Sequence, residues 1–297
     1  MEETKKKITV GRIILYVALF ALSICCVVPF LIVVGSSFQS QSEIMDIGYR
    51  IIPKEPTVSA YQMILKNPTQ IVDAYGITIL TTFLTVVGGL YLTSAMAYVV
   101  SRKDYMFRKA LSFYVFFTML FQGGLVPSYI MISKWMNLSD TIWALVLPTL
   151  CSAWNILVMK GFFASIPTSL IEAAKIDGAG EFKIFLQIIV PVSKPAFATI
   201  ALFLMLASWN DWYYSMLYIE NERLVKLQYL LQRIMSNINF LNSEAAIQYG
   251  LVTKDTEIPT YSARMAMCIL ACGPILIVFP FFQKYFVKGI TVGSVKG

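Results

Sequence analysis

Residues 166–191 read IPTSLIEAAKIDGAGEFKIFLQIIVP, a charged, glycine-interrupted segment set between two strongly apolar stretches. Ser169 and Glu172 form an S-x-x-E pattern. That pattern predicts a capping box, in which the Ser hydroxyl accepts from an orphan N–H and the Glu reaches back to the cap. An acid in the first turn also suits the helix dipole. Ala173 and Ala174 favour helix and add little volume, so they are expected to let another surface approach closely. Asp177-Gly178 predicts the helix end, with Gly in the position after the cap. A second helix is expected from about Glu181, with Phe182, Phe185, Ile188 and Ile189 on one stripe leading to Pro191. The reading is helix, sharp break, helix: a rigid knob, apolar on one side. An amphipathic loop lying in a lipid interface is the alternative that these residues alone leave open.

The surrounding chain is greasy. Of its 297 residues, 57% are hydrophobic and 14% charged, with mean hydropathy +0.67. A soluble domain carries about 25% charged residues, so the composition points to a bilayer. Charge-free runs cover 13–42, 74–101, 110–133, 141–159, 195–210 and 265–283. A spanning helix needs roughly 20 apolar residues. Five runs are expected to span outright, and 195–210 to span by extension through 191–194 or 211–217. The expected fold is an all-α membrane protein with six transmembrane helices. MEETKKKITVGR followed by an apolar run resembles a signal peptide, but the run is longer than such a segment needs, and an uncleaved first span is expected.

With the N-terminus inside, 15 of the 24 basic residues and 6 of the 17 acids face the cytoplasm. Net charge then divides into +9 inside and −2 outside, which is the positive-inside pattern. It places both termini in the cytoplasm, and the basic balance needs no nucleic acid to explain it. The expected organisation is a tail at 1–12, a six-helix domain at 13–287 and a tail at 288–297. External loops are expected at about 36–73, with turn signals and little helical periodicity, and at 211–263; the knob belongs to a cytoplasmic loop at about 160–190. All five cysteines (25, 26, 151, 268 and 272) lie in apolar runs and read as small hydrophobes; with no His in the chain, no metal site is expected.

The spacing Glu172-Ala173-Ala174, Asp177-Gly178-Ala179, then Ile188, Val190 and Pro191 resembles the EAA loop of ABC-importer permeases, with Val190 where Leu is usual. The tail PFFQKYFVKGITVGSVKG (280–297) and Trp209-Asn210 at the end of the fifth run resemble the maltose-type, MalG-like carbohydrate permeases, particularly the LplC-like branch. The likeness spans essentially the whole chain and is weakest in the two external loops. It implies an inner-membrane component of a binding-protein-dependent transport system with the type I ABC-importer permease fold. In that family the EAA loop is a coupling helix docked in a cleft of the ATPase. Carried over, the coupling set is Ser169, Glu172, Ala173, Ala174, Asp177, Gly178, Ala179 and Phe182. The implied partners are a second, different permease, two copies of an ABC ATPase, and a lipid-anchored or periplasmic sugar-binding protein, in the cell membrane. The tail from Lys288 onward is expected to touch the ATPases.

Mechanism classes separate on what the runs lack. Intramembrane ionisable residues mark ion pathways, and none lies well inside a run, which disfavours an ion-coupled secondary transporter; Asp211 and Arg264 at run ends stay open. No G-x-x-x-x-G-K-[ST] occurs, so ATP and Mg are expected on partner ATPases and no cofactor on this chain. A membrane enzyme would want a His or a paired-carboxylate constellation, and neither is present. A sugar path is expected to use aromatic faces and amides: Phe121 and Gln122, Trp154 and Asn155, Trp209, Asn210 and Tyr213. Interface belt or pore lining both fit Trp212 and Tyr213. Lining or helix-to-helix hydrogen bonding both fit Gln122 and Asn155. Gly88-Gly89 and Gly123-Gly124 are expected to permit close helix packing. The expected substrate is a carbohydrate, and the likeness implies an oligosaccharide; a non-sugar solute such as a peptide or polyol is the alternative.

Overall fold

The computed structural model describes residues 10–243, 246, 248, 249, 251 and 258–293, with side chains described from Gly11 to Gln283 within those bounds. The expected tails at 1–12 and 288–297 therefore fall largely outside the described residues, as does the contact expected of the C-terminal tail. Among the described residues all regular structure is helical. Two compact units divide the chain, one holding 1–67 and 233–273, the other 68–232 and 274–297.

In the first unit, α1 (Val10–Ser36) is apolar all round, with mean hydropathy 3.0 and its spanning window wholly exposed. A helix without a polar face is built for lipid or another apolar surface. The expected irregular loop after it instead contains α2 (Gln41–Ile47) and α3 (Ser59–Ile64). Ser40 caps α2 by accepting from the Glu43 N–H. Gln39 is fully buried and holds the returning chain by accepting from the Arg50 N–H at 3.0 Å. These helices are short, of seven and six residues, and α2 is started by a polar cap, so an apolar run could not reveal them.

The second unit is organised on α4 (Pro68–Ser101), which takes in residues 68–73 from the expected external loop. One face of α4 carries Thr78, Thr82, Thr85, Gly89, Thr93 and Ala97, all buried and spaced three or four residues apart. Lipid offers apolar surfaces no drive to associate, so spanning helices pack through small residues and polar contacts. Thr82 lies 3.4 Å from Ser208, and Thr85 lies 3.1 Å from Thr149. A Cβ on Gly89 would fall 2.9 Å from both the Leu150 carbonyl and Leu204. The Gly88-Gly89 expectation is met here. Gly123-Gly124 differs: Gly124 has φ +85 and, among the described residues, no neighbour within 4 Å of an added Cβ, while Gly123 would meet only Pro127 at 3.8 Å, so this pair turns the chain and permits no close helix packing.

Three of the expected spans are bent. The third is α5 (Arg108–Leu120) and α6 (Leu125–Ile130) with a π turn at Met131–Trp135, angled 109° at the Phe121–Gly124 break. The fourth is α7 (Ile142–Val146) with a 3-10 turn at Leu147–Thr149, then α8 (Ala153–Ala164) at 48°. After α9 (Thr168–Ile176), the chain forms α10 (Glu181–Ile184), a π turn at Phe185–Ile189, α11 (Val190–Val192) and α12 (Lys194–Trp209), bent by 83°. Counting each bent pair as one crossing gives six, with α1, α4 and α15 (Thr260–Gly293) the unbroken ones. The runs 110–133 and 141–159 each fall in a bent pair, and 195–210 is extended on its N-terminal side through the bent segment that contains 191–194. Neighbouring protein supplies the partners that let a broken helix exist in a membrane.

The segment after α12 is also ordered, with α13 (Tyr213–Tyr218), a 3-10 turn at Glu222–Leu224 and α14 (Leu227–Leu241). Lys226 fixes it. Its side chain is fully buried; its ammonium donates to the Ser208 carbonyl and lies 3.3 Å from Asp211 Oδ2. The next N–H, of Leu227, donates to Thr78 Oγ1 on α4 at 2.8 Å. One charge thus ties the end of α12 to the following chain.

Two outcomes follow. Gly89→Ala should destabilise the protein by about 1–3 kcal/mol through overpacking, whereas Gly76→Ala, with open space at its Cβ, should be neutral or stabilising; thermal unfolding in detergent compares them. Asp211→Ala strands the buried Lys226 and should cost about 3–5 kcal/mol, with the Lys226→Met/Asp211→Leu double substitution recovering most of it.

Candidate functional site

The knob of 166–191 forms as helix, break, helix, with one change at its start. Helix α9 begins at Thr168, after Pro167, and no side chain caps it. Ser169 sits inside the first turn, so the Ser169–Glu172 capping box is absent. Pro167 takes the cap position instead, with φ −56 and ψ 129, two residues before the expected cap, so Ser169 is already helical. The other end is as the sequence predicts. Gly178 has φ +79, its N–H donates to the Lys175 carbonyl at 3.0 Å, and the Ala179 N–H donates to the Ala174 carbonyl at 2.9 Å. These paired bonds make a Schellman motif, which fixes the angle at which the chain leaves the helix.

The two alanines divide their work. Ala174 is buried in a core with Ala97, Met159, Phe163, Ile184, Phe185 and Ile189, while Ala173 is exposed. Ala174 therefore lets α9 approach its own bundle, and only Ala173 is left for an outside surface. Phe182 likewise departs from the expected stripe: it is 71% exposed, whereas Phe185 and Ile189 are buried and Ile188 is half-buried. Glu172, Asp177 and Gly178 are exposed and Ala179 is half-buried. Ile176, at 86% exposure, and Leu170 join Ala173 and Phe182 in an outward apolar set that the sequence reading missed. Their i, i+3 and i+6 spacing on α9 was the available signal.

Charge pins the knob to the bundle. Asp104 receives Arg102 and Lys175, each at 2.7 Å, and Glu181 receives Lys175 at 3.0 Å and Arg102 at 3.3 Å. The Tyr98 hydroxyl also donates to Glu181. Hydrogen bonds from Arg102 and then Lys175 hold the Asp104 carboxyl well below the ordinary range, and its bond to Asp104 raises Lys175. Burial pushes Glu181 upward, but the hydrogen bonds from Tyr98 and Lys175 leave it lowered. The quartet is ionised across neutral pH and joins the α4–α5 loop to both knob helices.

The expected path residues separate into three places. Trp154 and Asn155 open α8 and line a cavity of about 380 Å³ with Thr149, Ser152, Phe203 and Leu204, created by the break in the fourth crossing. Trp154 is 56% exposed; Asn155 is largely buried, and its amide makes no hydrogen bond among the described residues. That removes helix-to-helix bonding as its role. An aromatic face, a free amide and two hydroxyls around one hollow are the groups that bind a polyhydroxylated ring. Trp209 and Asn210 lie at the end of α12 instead. Trp209 is buried, so it lines no open surface, and the Asn210 amide donates to the Leu206 carbonyl at 2.9 Å. Tyr213 stands edge-on to Trp212 at 6.0 Å. Phe121 stacks on Phe117 at 4.5 Å, and it and Gln122 are exposed in the break between α5 and α6, where Gln122 joins no helices. Lys226 with Asp211 is the charged pair the sequence reading missed; its signal is a lone cation inside LVKLQYLL.

Comparison with known proteins agrees with this architecture. The model of the binding-protein-dependent transport system inner membrane component family matches residues 105–292. The polygalacturonan/rhamnogalacturonan transport system permease protein YtcP of Bacillus subtilis is 37% identical over 96% of this chain and 97% of its own. Protein LplC of the same organism is 36% identical over 91% of this chain and 90% of its own. A solved bacterial ABC transporter involved in importing the acidic polysaccharide alginate has a chain with TM-score 0.76 and 27% identity, covering 96% of this chain and 100% of that one. With most of its length matched by the family model and by relatives above 30% identity, the chain belongs to the binding-protein-dependent transport system inner membrane components, the permease subunits of ABC importers.

Proposed function

We propose that the chain carries a carbohydrate, an oligosaccharide, across the cytoplasmic membrane by alternating access driven by separate ATPase subunits. The observation that carries this reading is the knob. It is fused to the bundle by Ala174, Ile184, Phe185 and the Asp104–Lys175–Glu181–Arg102 quartet, yet turns Leu170, Ala173, Ile176 and Phe182 outward. A helix so held transmits a push without bending, and its outward residues suit a cleft in another protein.

ATP and Mg sit on two copies of that ATPase, which docks on 168–182 from the cytoplasm; this chain binds no cofactor. Both termini are cytoplasmic, following the Lys/Arg distribution. A second, different permease completes the pathway, and an extracytoplasmic binding protein delivers the sugar. Sugar passes the Trp154–Asn155 hollow, the ring stacking on the indole and a hydroxyl meeting the free amide. Relatives named for polygalacturonan, rhamnogalacturonan and alginate support an oligosaccharide of such a polysaccharide as cargo.

Gly178→Val places a β-branched residue at φ +79, where L-residues pay roughly 1–2 kcal/mol. ATPase association and sugar uptake should fall while the chain still inserts in the membrane; unchanged uptake sinks the coupling assignment. Asn155→Ala should leave assembly intact and raise the half-saturating sugar concentration by about 2–10-fold, the worth of one hydrogen bond. Uptake by proteoliposomes holding the whole complex, with unaltered saturation, would remove Asn155 from the path.

A further inference from the structure

Beside the charge quartet lies a second cavity, of about 370 Å³, between the end of α4, the start of α5, the end of α8 and α9. Its volume falls within the range of small-ligand sites, roughly 300–1,000 Å³. Its polar lining is cationic. Arg102, Lys103, Arg108, Lys160 and Lys175 contribute to it, against Asp104 and Glu172. Asp104 and Glu181 already occupy Arg102 and Lys175. Lys103, Arg108 and Lys160 have no ion pair among the described residues, and Lys160 only donates to Ser112 at 3.0 Å.

One buried donor beside this cavity has no hydrogen-bond partner within the protein. The Arg102 side chain is nine-tenths buried and lies over the Tyr98 ring at 5.6 Å. Its Nε and Nη2 are taken by Asp104 and Glu181, while Nη1 is buried with no hydrogen-bond partner. Leaving a charged donor unpaired is costly, and a guanidinium is shaped to receive the paired oxygens of a phosphate.

The surroundings decide which phosphate. Apolar side chains of Phe163, Ile166 and Ile171 complete the wall, so the hollow is amphipathic. In the chain between the lining residues Lys103 and Arg108, Met106 is 81% exposed and Phe107 55% exposed. Basic residues interleaved with exposed large apolar ones suit the boundary of an anionic leaflet, and basic pockets between spanning helices hold lipid headgroups.

We propose that this cavity binds the phosphate of an anionic phospholipid from the inner leaflet, with Lys103, Arg108 and Lys160 as its donors and the Arg102 guanidinium in its wall. The sidedness rests on the orientation proposed above; the site itself does not. Because the lipid would sit against both the quartet and α9, its occupancy would stiffen the attachment of the knob.

The test is native mass spectrometry of the purified complex and of the Lys103→Gln/Arg108→Gln variant, which spares the quartet, after exchange into micelles of phosphatidylglycerol, phosphatidylcholine, or detergent with inorganic phosphate. Wild type should retain phosphatidylglycerol preferentially, and the variant should retain it about thirtyfold more weakly, two cations having been removed at roughly 1 kcal/mol each. Arg102→Lys, which keeps the charge but loses the planar fork, should weaken retention as well. Equal retention of both lipids, or unchanged retention in the variant, overturns the site. Displacement by inorganic phosphate without lipid preference overturns the lipid assignment. ATPase association, measured in the same preparations, should persist in the double variant, so this result is independent of the coupling assignment.

Discussion

The close approach of α4 to α8 and α12 is the constraint on which the second unit depends. In lipid, apolar surfaces gain nothing by leaving their solvent for each other, so contact must come from shape and from polar groups with nowhere else to go. The Thr-Gly-Ala face of α4 supplies both. Gly89 admits the Leu150 carbonyl and the Leu204 side chain to a distance no other residue allows. That contact falls at the break in the fourth crossing, whose free backbone needs protein around it. The same break opens the hollow beside Trp154 and Asn155. Dense packing and a binding cavity are thus adjacent results of one helix interruption.

Charge does a different task at the two ends of the bundle. At one end a single buried cation, Lys226, gathers the terminal carbonyl of α12, a carboxylate and the chain that follows. At the other, the largely buried Arg102 and the half-exposed Lys175, Asp104 and Glu181 hold the knob, each partner doubly engaged. The first arrangement excludes water and tolerates no missing member. The second is half-exposed, and surface pairs of this kind contribute little apiece; it acts through geometry, by restricting how α9 can tilt.

The fold was legible where its causes are local and repetitive. Charge-free runs gave the six crossings, and Gly178 after Asp177 gave the end of α9, because a left-handed turn is a property of one residue. The start of α9 was misread because Ser169–Glu172 matched a capping pattern while Pro167 took the cap position two residues earlier. Breaks in the third and fourth crossings left no trace in hydropathy, since Phe121 and Leu150 interrupt runs that remain free of charge, whereas the fifth break at Ser193 sits beside Lys194, just outside the run at 195–210. Lys226 was hidden for the opposite reason: a lone cation in a loop reads as solvated, and its burial depends on Asp211 and Ser208, residues that only the fold brings near. Within the site, Ala173 and Ala174 were read alike because periodicity gives a helix faces but does not say which face meets its own bundle.

The π turn at Phe185–Ile189 bears on how this family can vary. A π turn holds one residue more than the α-helical path it replaces, and each α-helical residue advances the axis by about 100°. Deleting a single residue there would let the segment relax into regular helix. The knob would then swing by about a quarter-turn in phase relative to α12, carrying Ile176 and Phe182 away from the direction they now face. Substitutions in the turn can be absorbed by repacking Phe185 and Ile189, but a change of length cannot, because it is read out as an angle. The residue count between Gly178 and Lys194 is therefore under a stricter demand than the identities of most residues within it.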